Sequence, residues 1–226
     1  MAVPYNAIIG IGELVYIFAI AVAMDVLVSK RRISESAARK VIHLWMGGLI
    51  VFWFLPTGQY AKVIFSIPIL AFVAVMLTAL PKRAPHATKV FRFARERSRT
   101  DVIYGPLILM AMLIFFTVFS FRSIAGVAAI CAVSFGDGIA PIAGKYACAK
   151  YANGKKSIEG SLAFFVASLF SIFIFTSILL PGSFTVRVSR IAVLASAVGA
   201  VAEGITPGKF DNLTVSILVW LIFLLV

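Results

Sequence analysis

The residues best suited to chemistry gather in one stretch. Ser134-Phe135-Gly136-Asp137-Gly138 leads to Gly144-Lys145, and Gly154-Lys155-Lys156-Ser157-Ile158-Glu159-Gly160-Ser161 follows. Small residues beside an acid let backbone approach a ligand closely. Glycine-rich loops with lysines suit phosphate, because bare N–H groups and ammonium charge meet its oxygens. Gly136, Gly138, Lys155, Lys156, Ser157, Gly160 and Ser161 are therefore the candidate phosphate-binding residues. Ser161 is expected to open a helix, so that Gly160 and Ser161 present its positive end to an anion. Asp137 and Glu159 are hard oxygen donors of the kind magnesium prefers. The combination reads as a magnesium–nucleotide site. On chemistry alone, a lipid-headgroup patch or an ordinary cytoplasmic loop is the alternative. Tyr146 stands where a Walker A loop needs Ser or Thr after its lysine, and Pro141 stands where a dinucleotide fingerprint needs its third glycine.

Two smaller clusters can complete such a site. Arg39, Lys40 and His43 lie where a basic stretch enters an apolar run. The i, i+4 spacing puts Arg39 and His43 on one helical face. His43 is a phosphate ligand or a base, or else a satisfied structural histidine. Glu203, Asp211 and Asn212 flank the break Thr206-Pro207-Gly208. Asn212-Leu213-Thr214 is a glycosylation sequon, discounted because it abuts an apolar run on the side read below as cytoplasmic.

The elements that must position these residues are membrane helices. The chain has 226 residues, 62% of them hydrophobic, and a mean hydropathy of +1.04. Soluble domains run nearer 45–50% apolar. A membrane span takes roughly 20 mainly apolar residues. Barrel strands would alternate apolar and polar residues, and these runs do not. The expected spans cover about 6–28, 41–55, 61–80, 102–119, 124–135 (or on to 143), 161–180, 191–205 and 213–226. The expected fold is all-α, a polytopic membrane helix bundle of about seven or eight spans. Residues 1–226 are read as one domain, with cytoplasmic loops near 29–40, 81–101, 136–160 and 206–212. Only Lys62, Arg122, Arg187 and Arg190 of the 21 Lys and Arg fall outside those loops, and this bias puts the loops in the cytoplasm. It also accounts for the net charge of +12 without nucleic acid. Most acids fall near the cytoplasmic ends of spans; Glu13 alone is mid-span. Neither Cys131 nor Cys148 fits a metal or redox spacing.

Taken together the clusters resemble the family of dolichol kinase, phytol kinase and CTP-dependent diacylglycerol kinase. The matching pieces are Arg39-Lys40-Val41-Ile42-His43, Tyr104-Gly105-Pro106-Leu107, Gly136-Asp137-Gly138-Ile139-Ala140, residues 154–161, and Glu203 with Asp211-Asn212-Leu213. The resemblance implies a compact bundle of membrane helices with a cytoplasmic active site. It implies transfer of the terminal phosphate of CTP to a lipid alcohol, with a divalent metal such as Mg2+. The chain's brevity favours a phytol- or polyprenol-kinase-like form. On that reading Asp137, Glu159 and Glu203 are metal ligands, and Asp137, His43 and Asp211 are catalytic. Arg39, Lys40, Lys155 and Lys156 then neutralise phosphate, and Asn212 accompanies Asp211. The partners are CTP, a lipid alcohol of polyprenol, phytol or geranylgeraniol type, and membrane lipids. A lipid cytidylyltransferase uses the same nucleotide and is the nearest competing reading. A transporter is the third, and it expects polar residues at mid-membrane rather than at one face.

Overall fold

The computed structural model describes residues 2–78, 99–151, 156–206 and 210–226. Side chains at 99–106 lie outside the description, as do the basic stretch 82–98, Lys155 and Lys209. The regular elements are helical: α1 (Ala2–Ser29), α2 (Glu35–Met46), α3 (Ala61–Thr78), α4 (Arg99–Ser120), α5 (Ile124–Cys131), α6 (Asp137–Gly144), α7 (Ile158–Leu179), α8 (Val186–Ile205) and α9 (Asp211–Leu225). Among the described residues, four helical stretches are long and apolar enough to cross a membrane: Pro4–Ser29, Ile124–Gly144, Ile158–Leu179 and Val186–Ile205. Shorter apolar helices cover Ala61–Val75, Leu107–Ser120 and Asp211–Leu225.

The exposed surface supports a membrane reading. On α7 the residues Leu162, Val166, Phe170, Ile174 and Ile178 recur every fourth position and are all exposed. The opposite face buries Gly160, Ser161, Phe164, Ser168 and Ser171. Large apolar groups outside and small or hydroxylated ones inside is the arrangement that lipid solvent favours.

The chain divides into two compact units, Met1–Val118 and Phe119–Val226. In the first, α1 packs on α2 and α3. Phe65, Ile69 and Phe72 of α3 are buried, together with Leu49, Ile50 and Trp53. The Trp53 indole N–H donates to Thr117 Oγ1 at 3.0 Å. Glu13 lies on the buried stripe of α1 with Ile17 and Ala21, and neither of its oxygens has a hydrogen-bond partner. The span expected at 41–55 takes another form. Ser34 caps α2, which buries Ala38, Ile42 and Met46 at a four-residue spacing and leaves Trp45 exposed. A 3-10 turn over Gly47–Trp53 then takes over from the α-helix. Tyr16 donates to the carbonyl of Trp45 at 2.7 Å, and its hydroxyl sits where a Cβ on Gly48 would be, so this end of the helix closes around the phenol.

The second unit packs α7 against α6, α8 and the turn between α5 and α6, and α9 against α5 and α8. Ile124–Gly144 is one helical rod interrupted by a π-turn at Ala132–Gly136. Every residue of α5 from Ala125 to Cys131 is buried. Phe164 of α7 is fully buried, and two glycines make room for its ring. A Cβ on Gly136 would fall 2.7–2.9 Å from that ring, and one on Gly199 would fall 3.0 Å from it.

Two expectations are corrected. Gly136, Asp137 and Gly138 stand in helical backbone, with Asp137 at φ −68, ψ −29, so the longer extent read for the fifth span, to 143, replaces a loop from 136. The connection therefore begins after Gly144. Gly136 serves close packing, since the ring occupies the volume of a side chain. The sixth expected span begins at Ile158, not Ser161.

Gly136→Ala is expected to destabilise the protein by about 1–3 kcal/mol, the usual cost of overpacking. Thermal unfolding in detergent checks this. Phe164→Leu in the same chain should recover part of the loss, and a Gly136→Ala protein as stable as wild type would refute the contact.

Candidate functional site

Four segments of the second unit bring polar groups together: the start of α6, the connection before α7, the end of α8 and the start of α9. The connection returns on itself. Tyr151 N donates to Lys156 O at 2.9 Å, and Ile158 N donates to Ala149 O at 3.0 Å. Ser157 then caps α7 by accepting from Gly160 N at 3.1 Å. Glu159 Oε1 accepts from the N–H groups of Cys148 and Ala149 at 2.9 and 3.1 Å. Gly144 and Gly160 face one another, so that a Cβ on Gly160 would lie 3.1 Å from Ala140 O and 3.7 Å from Gly144 Cα. This contact lets α6 and α7 run close together and sets the connection directly over the end of α8.

Lys156 is the centre of the cluster. Its Nζ lies 3.0 Å from Glu203 Oε1 and 3.2 Å from Asp211 Oδ2, and it also donates to the main-chain carbonyl of Glu203. A helix ends in four carbonyls without intrahelical partners, and its negative end disfavours an acid. Glu203 sits in that last turn. The ammonium answers both costs at once, capping the carbonyl and neutralising the carboxylate. Asp211 opens α9, where the positive end of the helix favours it. Its Oδ1 accepts from Asn212 N at 2.9 Å. Ser161 Oγ donates to Glu203 Oε2 at 3.2 Å, and Tyr151 OH donates to Ser161 Oγ at 3.2 Å. Burial works to lower the Lys156 pKa, but the charges of Asp211, Glu203 and Asp137 outweigh it, so Lys156 is held above the usual lysine value.

The structure thus joins Lys156, Ser161, Glu203, Asp211 and Asn212, with Asp137 in electrostatic reach of the lysine. Ser157 and Gly160 serve the cap of α7. The Gly160 N–H goes to Ser157 Oγ and the Ser161 N–H to Ser157 O, so neither is a bare N–H open to an anion. The ammonium of Lys156, read from sequence as a phosphate ligand, has its three N–H directions engaged by Glu203 and Asp211. Arg39, Lys40 and His43 belong to α2 in the first unit. Asn212 is buried and its Oδ1 has no hydrogen-bond partner, which agrees with setting the sequon aside. Tyr151 was missed. A tyrosine in a lysine-rich stretch carries no motif; only its position, five residues before a motif lysine, hints that it pairs with that segment.

Among the described residues no three Asp, Glu, His or Cys converge as a complete metal-binding group. Glu159 Oε1 is taken by the backbone N–H groups of Cys148 and Ala149, while its Oε2 has no hydrogen-bond partner. Magnesium is commonly held by one or two carboxylates plus substrate phosphates and water. Glu203 and Asp211, both on the Lys156 ammonium, are two carboxylates of that partial kind.

Comparison with known proteins agrees with the resemblance. The chain is 28% identical over 159 residues to phytol kinase 1, chloroplastic, of Arabidopsis thaliana, covering 68% of this chain and 52% of that protein. It is 31% identical over 151 residues to a probable chloroplastic phytol kinase of Triticum aestivum, 64% of this chain and 50% of that protein. A probable chloroplastic phytol kinase of Zea mays is 31% identical over 149 residues, 63% of this chain and 49% of that protein. The chain spans about half the length of these curated relatives. No family model matches it, and no solved structure does.

Removing the lysine would leave two carboxylates buried beside each other. Lys156→Met is expected to destabilise the protein by about 3–5 kcal/mol at neutral pH. A folded-state pKa above the ordinary value gives a stabilisation that is complete below about pH 10.4 and is lost as pH climbs through the higher folded value. The gap in unfolding free energy between wild type and Lys156→Met should stay constant through neutral pH and narrow only in that alkaline range. Chemical unfolding across pH measures it, and a gap that closes near pH 7 would refute the pairing.

Proposed function

From a chain related to the phytol kinases, we propose a membrane kinase that transfers the terminal phosphate of CTP to the hydroxyl of a lipid alcohol. The observation that carries this reading is the Lys156–Glu203–Asp211 cluster, with Asp137 in reach, at the ends of helices whose outer faces suit lipid. The proposed acceptor is a polyprenol, phytol or geranylgeraniol type of alcohol, its tail in the bilayer and its hydroxyl at the polar end of α7 and α9. CTP as donor rests on the resemblance. The lysine and arginine bias supports a cytoplasmic location for this end. We read residues 1–226 as one kinase domain in which the shorter apolar helices also cross, for about seven or eight spans.

In the reaction the lipid oxygen bonds to the γ-phosphorus, the bond from that phosphorus to the β–γ bridging oxygen breaks, and CDP leaves. Phosphoryl transfer asks mainly for positioning and charge neutralisation. Asp137 and Glu203 are the proposed metal ligands, with Asp211 near enough to share the task. Magnesium held there would offset the charge on the phosphate oxygens. Lys156 fixes Glu203 and Asp211 in place, so they pay no reorganisation when substrate arrives. Asp211 is the proposed group that orients the alcohol and receives its proton. Arg39, Lys40 and Lys155 are proposed to neutralise phosphate, and His43 to assist as ligand or base.

Membranes containing the protein, given lipid alcohol and γ-labelled CTP, should move label into the lipid. Label recovered in pyrophosphate would instead show attack at the α-phosphorus and sink the kinase reading. Asp137→Asn is expected to lower turnover by at least about a hundredfold, in the range seen for loss of a transition-state charge partner, while the protein stays folded. Wild-type turnover in that variant would take Asp137 out of the site.

A further inference from the structure

Tyr151 reaches the acid cluster from outside the sequence motifs. Its main chain pairs with Lys156, and its hydroxyl donates to Ser161 Oγ, which donates to Glu203 Oε2. The same short pairing thus grips both oxygens of Glu203, one through Lys156 Nζ at 3.0 Å and one through Ser161 at 3.2 Å. The fold leaves space for this. A Cβ on Gly204 would lie 3.0 Å from Ser161 Oγ and 3.0 and 3.1 Å from two atoms of the Tyr151 ring.

A serine hydroxyl has one hydrogen to give. Inside a helix it readily turns that hydrogen to the carbonyl four residues back. For Ser161 that carbonyl belongs to Ser157, which already accepts the Ser161 N–H. The phenol of Tyr151 occupies a lone pair of Ser161 and favours the rotamer in which the hydrogen points to Glu203. Successive hydrogen bonds polarise one another, so the last bond in the chain is strengthened.

We propose that Tyr151 is a positioning residue for phosphoryl transfer, its hydroxyl orienting Ser161 so that Glu203 is held in a single pose. The role rests on the kinase reading above. It acts on the rate step rather than on nucleotide affinity, because Tyr151 acts only through Ser161 and a preorganised carboxylate lowers the barrier without adding a ground-state contact.

The test is a double-mutant cycle on the full-length protein in lipid nanodiscs, with Tyr151→Phe, Ser161→Ala and the pair. Tyr151→Phe should lower kcat about tenfold and change the KM for CTP less than about twofold, because small misplacements cost rate. The double variant should be no slower than Ser161→Ala alone. An unchanged kcat in Tyr151→Phe, or independent losses that multiply, would overturn the proposal. Melting temperatures of the same four proteins give a readout that needs no turnover. Tyr151→Phe should lower the midpoint by about 2–4 °C in the wild-type background and not at all once Ser161 is Ala. Additive midpoints would overturn the hydrogen-bond chain itself. Coupled midpoints in a wild type without turnover would overturn the kinase reading, and the positioning role with it, while leaving the chain of bonds in place.

Discussion

An ammonium group set against two carboxylates holds the second unit together at its polar end. Lys156 arrives 47 residues before Glu203 and 55 before Asp211, and its charge is the reason those distant acids can share one pocket. Ions taken out of water cost several kcal/mol each unless paired with good geometry. Here the pairing is also a helix cap. One side chain closes the end of α8, satisfies the acid in its last turn and ties in the first residue of α9. The helix termini, the connection before α7 and the acid cluster therefore stand or fall together.

Packing sets the distances that this electrostatic centre needs. Phe164 enters the space vacated at Gly136 and Gly199, and Gly144 meets Gly160 across the α6–α7 crossing. In lipid there is little hydrophobic drive between helices, so close backbone approach and buried polar contacts take its place. Gly136 and Gly160, which look in sequence like part of a phosphate cradle, serve this approach. Their position near the acids is still informative, because the tight crossing is what draws the ends of four segments into one cluster.

Much of this was legible in the chain. Unbroken apolar runs predict helices, and α1, α7 and α8 fall close to their expected places. Lys156, Ser161, Glu203, Asp211 and Asn212 were all singled out by residue type and do meet. The failures have physical causes. The run at 41–55 is apolar, but Tyr16 against Gly48 turns its middle into a tight 3-10 segment. Ser157 outcompetes Ser161 as the helix start because its hydroxyl finds the Gly160 N–H. Two backbone N–H groups claim one oxygen of Glu159, a contact that its chemistry as a hard ligand does not announce. Roles that depend on who reaches a partner first are invisible in composition and spacing.

The π-turn at Ala132–Gly136 carries a consequence for how this chain tolerates change. Such a turn holds one residue more than an α-helical turn, so everything beyond it is rotated by about 100 degrees, the angle each residue adds in an α-helix at 3.6 per turn. Asp137 is the first residue past it. Losing a single position in that turn would leave hydropathy and chemistry nearly untouched, but it would swing the acid around the helix axis, away from Lys156. Length in this stretch is thus under tighter constraint than identity. A gap there between two otherwise similar chains would say more about their chemistry than many substitutions elsewhere.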